Sequence, residues 1–314
     1  MMSLRPLGST TLKVAPLCLG GNVFGWTADE AASFAVLDAY TAAGGNFVDS
    51  ADGYSAFAPG MKGGESETVL GDWFTARGNR SDVVLATKVG RHPAYPGLSA
   101  DNIRAAADAS LRRLRTDYID LYYTHYDDPD VPVEEIIGAL DGLVKAGKVR
   151  HIAASNISAE RLRASLEFSE REGLARYVAL QPHYSLVSRD TYEGALQDVA
   201  EEAGLSAVPY FALASGFLTG KYRPGAAVDS VRAGRVAQLV DSERGARVLK
   251  VLDEIAGARE VEVATVALAW LTSRPTVIAP TASARTVEQL PALLALTEVT
   301  LTEAETARLT EASA

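Results

Sequence analysis

Asn46–Tyr54, NFVDSADGY, is the stretch on which the reading of this chain turns. Asn46-Phe47-Val48 has the look of a short buried strand. It closes in Asp49, and Tyr54 follows on the loop beyond. An acid at the end of a buried strand and a phenol just past it make a poor core. They make a good site at the mouth of a barrel. Partners for the two groups must then arrive from other strand ends.

The neighbouring segments repeat one unit. Before the stretch, residues 4–15 alternate around Gly8-Ser9-Thr10-Thr11 and predict a hairpin. Leu17–Leu19 is an apolar run closed by Gly20-Gly21, and Asp29–Ala43 is helical until Gly44-Gly45 stops it. After it, strands are expected at Asp82–Thr87, Tyr118–Thr124, His151–Ala154, Tyr177–Leu180, Leu205–Pro209 and Thr276–Ala279. Helices are expected between them: Glu65–Ala76, Ala100–Leu114, Val133–Lys145, Ala159–Ser169 and Arg189–Glu202. Periodicity lapses over Ser215–Asp241, then resumes at Glu243–Ala256 and Val263–Leu271, with terminal helices near Thr286–Leu296 and Thr302–Ala312. Strands alternating with helices imply parallel pairing and right-handed crossovers. Eight such units favour a closed (β/α)8 barrel, here with an N-terminal hairpin and extra C-terminal helices, as one domain over 1–314.

A barrel gathers its functional residues on the loops after the strands. Those positions hold Gly20-Gly21-Asn22, Asp49 and Tyr54, Lys88, His125, Ser155-Asn156, Gln181, Tyr210, and Ser283 with Arg285. Lys88 directly follows an apolar strand. Its bland role is a strand-end lysine reaching outward. A partly buried lysine needs an anion, and Asp49 on the adjacent strand supplies one. That cation is expected to favour phenolate at Tyr54 and lower its pKa, giving a general acid usable near neutral pH. His125 ends the next strand. If neutral, it can donate to a carbonyl oxygen. No serine or cysteine nucleophile stands with a base, so polarising and protonating a carbonyl fits hydride addition from a cofactor. A Schiff-base aldolase using Lys88 is the rival barrel chemistry, but an aspartate-paired, protonated lysine is a poor nucleophile.

Composition narrows the partners. With 30 Lys+Arg against 40 Asp+Glu, net charge −10, and no basic stripe, nucleic acid is not an expected partner. No apolar run approaches the about 20 residues of a membrane span, and the N-terminus lacks a secretory pattern. Cys18 is the single cysteine, which fits a reducing cytoplasm and a buried packing role. The four histidines are scattered, so no metal site is expected.

The motifs FVDSADGY, VVLATKVG, LRRLRTDYIDLYYTH, RHIAASN, VALQPHYS, ASGFLTGKY and SARTVEQL resemble, in order and spacing, those of the aldo-keto reductases. The resemblance runs from RPLGSTTLKV to the terminal helices. It implies a catalytic tetrad of Asp49, Tyr54, Lys88 and His125. It implies NADP(H), bound across the barrel mouth without a GxGxxG motif. Gly21, Asn22 and Asp49 belong to that cofactor surface. Ser155, Asn156 and Gln181 match the positions that hold the carboxamide, and Tyr210 the ring that stacks on the nicotinamide. Gly216, Leu218 and Lys221 match the pyrophosphate strap. Ser283, Arg285 and Gln289 match the surroundings of the adenosine ribose and its 2′-phosphate, with Arg232 as a further cation in the long loop. A guanidinium at Arg285 pairs well with a phosphate, which favours NADPH. The chain departs from the family pattern at Ala292 and Leu293, where many relatives carry Glu-Asn, and at Thr281 and Ser283. Phe24, Trp26, Phe57 and Tyr126, with Tyr54 and His125, are expected to wall a pocket for a small carbonyl or alcohol substrate. Run in reverse, the same site would be an alcohol or sugar dehydrogenase; some family members serve as cofactor-sensing accessory subunits of membrane channels, which would bind cofactor with very slow turnover. Substrate, direction and oligomeric state are not written in these motifs.

Overall fold

The computed structural model describes residues 2–223, 225 and 233–314. The chain opens with a hairpin of β1 (Arg5–Pro6) and β2 (Lys13–Val14). Then follow β3 (Cys18–Gly20), α1 (Glu30–Ala42), β4 (Phe47–Asp49), α2 (Glu65–Arg77) and β5 (Val84–Val89). A small antiparallel pair, β6 (Arg91–His92) and β7 (Tyr95–Pro96), precedes α3 (Ala100–Leu114). The alternation resumes with β8 (Ile119–Thr124), α4 (Val133–Lys145), β9 (Val149–Ser155), α5 (Ala159–Glu172), β10 (Tyr177–Gln181), α6 (Ala195–Glu202) and β11 (Ser206–Ala207). The last part comprises α7 (Ala233–Val240), α8 (Glu243–Arg259), α9 (Val263–Thr272), β12 (Thr281–Ala282), α10 (Leu290–Leu294) and α11 (Glu303–Ala312).

Eight strands form one parallel sheet in the order β11-β10-β9-β8-β5-β4-β3-β12. Its two edges meet. Ala207 N–H donates to Thr276 O, Ile278 N–H to Ala207 O, and Thr281 N–H to Pro209 O. The architecture is the expected (β/α)8 barrel with an N-terminal hairpin and extra C-terminal helices. Helix starts follow side-chain capping: Asp29, Ser99, Ser158 and Ser242 each accept a first-turn N–H, and Thr302 with Glu305 forms a capping box.

Two cores result from the alternation along each strand. Val48, Leu85, Tyr122, Ile152 and Leu180 face the helices. Phe47, Ala86, Leu121, Tyr123, Ala153 and Ala179 face the barrel interior, together with Leu7 and Val14 of the hairpin. The hairpin thus closes the floor. Gly8 N–H donates to Ser206 Oγ, and Arg5 donates to Ile278 O.

Three expectations are corrected, and one pair of strands was not foreseen. The helix read from Arg189 begins only at Ala195, because Gly194 sits at φ 93°, ψ −136° and breaks the chain direction. The final strand pairs at Thr281–Ala282 rather than Thr276–Ala279, with Val277 bridging Ala207. The aperiodic Ser215–Asp241 stretch contains helical turns over Ala214–Thr219 and the helix α7. Finally, β6 and β7 gave no signal, since two residues per strand carry no period. No helix among the described residues is long and apolar enough to cross a membrane.

Candidate active site

The same period of two decides what reaches the barrel mouth. With Phe47 inward and Val48 outward, Asp49 points inward again. Counting from Val84 and Ala86, Lys88 is inward; counting from Leu121 and Tyr123, so is His125. Ser155 and Gln181 follow by the same count from Ala153 and Ala179. Pairing sets their heights: Gly20 lies opposite Asp49, Asp49 opposite Ala86, Lys88 opposite Tyr123, and Gln181 opposite Ser155.

Lys88 is the hub, with 1% of its surface exposed. Its Nζ donates to Asp49 Oδ2 at 2.6 Å, to the Ser50 carbonyl at 2.7 Å and to the Tyr54 hydroxyl at 2.6 Å. Three ammonium protons therefore meet three acceptors, which is the condition for a buried cation to be tolerated. The Tyr54 hydroxyl donates to Asp49 Oδ2 at 2.9 Å. Gln181 Nε2 donates to the other Asp49 oxygen at 3.1 Å. From there the network continues outward. Ser155 Oγ donates to Gln181 O, Asn156 Nδ2 to Ser155 Oγ and His125 O, and Tyr210 OH to Asn156 Oδ1. Asn156 holds this position with a left-handed backbone, φ 48°.

The electrostatics correct one expectation. Burial and the neighbouring Asp49 carboxylate hold the Tyr54 pKa well above the ordinary phenol range. The sequence placed Asp49 only as the lysine's partner. In the structure Asp49 also accepts directly from the Tyr54 hydroxyl, a bond that phenolate cannot donate. Burial pushes Lys88 down, against the upward pull of Asp49. His125 lies 5.9 Å from Tyr54, ring centre to ring centre. Burial, then Lys88, then Arg91 hold its pKa well below the usual imidazole value, so it is neutral at pH 7. Its Nδ1 is buried without a hydrogen-bond partner among the described residues.

Above this cluster lies a cavity of about 740 Å³. Trp26, Tyr54, Phe57, His125, Tyr126, Ser155, Asn156, Gln181 and Tyr210 line it, as do Asn22, Gly216, Lys221, Ser283, Arg285 and Gln289. Asp49 and Lys88 sit just beneath, through Tyr54. Three candidates fall elsewhere. Phe24 is wholly buried in the outer core, and Val23 takes its place at the wall. Gly21 is buried with its N–H bonded to Asp49 O, and Gly20 lines the cavity instead. Leu218 is buried, its N–H bonded to Leu213 O. Arg232 lies outside the described residues. Ala292 and Leu293, where the chain departs from the family pattern, do line the cavity. Arg91 and His92 also line it; sequence reasoning passed over them because their hairpin was invisible.

The cavity has two regions, set by strand order. Trp26, Phe57, Arg91 and Tyr126 stand on loops after β3, β4, β5 and β8. Gly216, Lys221, Ser283, Arg285 and Gln289 stand over β11 and β12, which adjoin in the closed barrel. Between the two regions are the amide and hydroxyl groups of Ser155, Asn156 and Gln181 and the ring of Tyr210.

A parallel barrel with a buried lysine–aspartate pair, a protonated tyrosine and a neutral histidine beneath one cavity defines a carbonyl/alcohol oxidoreductase. The chain belongs to the aldo/keto reductase family, whose model matches residues 16–314. It is similar to the uncharacterized oxidoreductase YrpG of Bacillus subtilis, 36% identical over 309 residues, covering 96% of this chain and 92% of that one. It is also similar to norsolorinic acid reductase stcV of Emericella nidulans, 33% identical over 96% of this chain and 78% of the relative. A third relative is protein tas of Escherichia coli, 33% identical over 72% of each chain.

Proposed function

We propose that this protein reduces an aldehyde or ketone to the alcohol, with NADPH as hydride donor and Tyr54 as proton donor. The observation that carries the proposal is the Tyr54 hydroxyl, held at the cavity floor between Lys88 Nζ and Asp49. Its raised pKa keeps the proton in place until an oxygen that is gaining negative charge can accept it. As the proton leaves, Lys88 Nζ stands 2.6 Å from the phenolic oxygen and stabilises its charge. Neutral His125 donates to the same substrate oxygen and orients it. The reverse reaction needs phenolate at rest, which burial and Asp49 disfavour. The Emericella nidulans relative is named a reductase, which agrees with this direction.

The cavity suits a dinucleotide. Its polar platform at Ser155, Asn156 and Gln181 fits a carboxamide, and the flat Tyr210 ring fits a nicotinamide. At the other region, a Cβ at Gly216 would meet the Lys221 side chain at 3.2 Å, so glycine keeps that cradle open. Lys221 and Arg285 would answer phosphates, beside the acid Glu262. When bound, the reduced nicotinamide supplies the hydride.

The test pairs turnover with binding. Trp73 and Trp270 are wholly buried in the core, whereas Trp26 lines the cavity, so tryptophan fluorescence reports ligands there. Tyr54→Phe is expected to lose about a thousandfold or more in turnover of aldehydes. NADPH titrated against fluorescence should still bind it with nearly the wild-type affinity. Loss of both would make Tyr54 structural. Failure of the wild type to bind NADPH would remove the cofactor from the proposal.

A further inference from the structure

The cavity rim carries a cation that the proposed reaction leaves without a task. Arg91 begins β6, three residues past Lys88. Its stem is packed onto the loop that carries Tyr54: a Cβ at Gly53 would lie 2.6 Å from Arg91 O and 2.9 Å from Arg91 Cβ. Its guanidinium carbon lies 4.4 Å from the centre of the Tyr126 ring. Tyr126 is 5.3 Å from the His125 ring, which neighbours Tyr54. Arg91 is therefore fixed at two points, one on each side of the proton-donating tyrosine and the polarising histidine. Its charge is felt in the site, since it helps to hold His125 neutral.

Nothing among the described residues neutralises it. Arg91 makes no ion pair there, while most of its fellow arginines do. The other formal charges lining the cavity, Lys221, Glu262 and Arg285, stand over β11 and β12. His92, beside it, has its pKa lowered by burial and Arg113. A guanidinium whose carbon lies over a tyrosine ring can still direct N–H groups away from that ring, and such groups match a carboxylate bidentately. The surrounding walls are aromatic: Trp26 and Phe57 meet edge to face at 5.1 Å, with Tyr126 opposite Arg91.

We propose that Arg91 is a specificity-determining residue that recognises a carboxylate on an aromatic aldehyde or ketone substrate. The inference rests on the carbonyl-reductase reading of the same site. The aromatic walls take the ring, Tyr54 and His125 take the carbonyl oxygen, and Arg91 takes the anion across the ring from it.

The experiment compares para- and meta-carboxybenzaldehyde with their methyl esters, in wild type, Arg91→Met, which keeps the stem, and Arg91→Lys. The expected result is a wild-type preference, in kcat/KM, for at least one acid over its ester, weakened by salt. In Arg91→Met the ratio of acid to ester should fall about tenfold through KM, with partial recovery in Arg91→Lys. No acid preference in wild type, or an equal loss for acid and ester in Arg91→Met, overturns the inference. Binding separates its failure from that of the reductase reading. Terephthalate and its dimethyl ester are titrated against tryptophan fluorescence without turnover. Binding of the dianion that Arg91→Met abolishes supports the anion site even if no aldehyde is reduced, and that outcome would sink the reductase reading alone. No binding of the dianion overturns the anion site.

Discussion

Asp52 shows how much a single buried residue can impose. It lies between Asp49 and Tyr54, wholly buried. One carboxyl oxygen accepts from Gly90 N–H at 3.2 Å, and the other has no hydrogen-bond partner among the described residues. Burial, reinforced by the Glu67 carboxylate, pushes its pKa from 3.8 up to about 7, with Gly90, Arg113 and Gly53 pulling the other way. The folded state thus keeps a proton that the unfolded chain releases near pH 4. Its contribution to stability is full below the unfolded value and is lost as pH rises through about 7. The loss is about 1.4 kcal/mol per pH unit within that window. Asp52→Asn preserves an acceptor for Gly90 and removes the titration. Its melting temperature is expected to exceed the wild type's above neutral pH and to depend less on pH between about 5 and 7. An unchanged pH slope would assign the titration to another group.

Among the elements, the Ser50–Tyr54 loop and the β6–β7 hairpin are locked together. The Gly53 site has backbone on its open side, with Arg91 O and C within 2.7 Å of any added Cβ. Gly53→Ala must therefore part the loop from the hairpin that supports it. We expect a destabilisation of about 1–3 kcal/mol and a fall of about tenfold or more in kcat/KM as Tyr54 shifts, read by melting and steady-state kinetics. Wild-type kinetics would show that this contact does not place Tyr54. The elements also show what the sequence made legible. Ala100–Leu114 and Val133–Lys145 were read with the bounds they have, because an apolar stripe over several turns leaves a long record. The inward positions Asp49, Lys88 and His125 were legible as ends of apolar strands. Phe24 was misplaced because a loop aromatic has no period to say which way it faces; here it turns under Gly21 into the outer core. Arg91 went unread for the same reason, and the direction of the Tyr54 shift follows first from its burial and then from the Asp49 carboxylate, neither of which spacing reveals.

Across the whole molecule, closing the barrel brings the β11 and β12 loops side by side and so separates a region that carries Lys221 and Arg285 from an aromatic one. Arg285 belongs to the first. It is exposed, lines the cavity and makes no ion pair among the described residues. Removing one charge-assisted contact of about 1.5–3 kcal/mol in Arg285→Ala is expected to weaken NADPH about tenfold or more while leaving NADH nearly unchanged, measured by fluorescence titration. An equal loss for both would end its assignment to the 2′-phosphate. The hairpin that closes the floor has a consequence of another kind. Arg5 meets Ile278 across 273 positions of chain, and Gly8 meets Ser206 across 198. The hairpin leaves the ribosome well before Ser206 and Ile278 do. Contacts so distant in the chain slow folding. The hairpin is thus among the last elements to be seated, and until then the growing barrel has an open base.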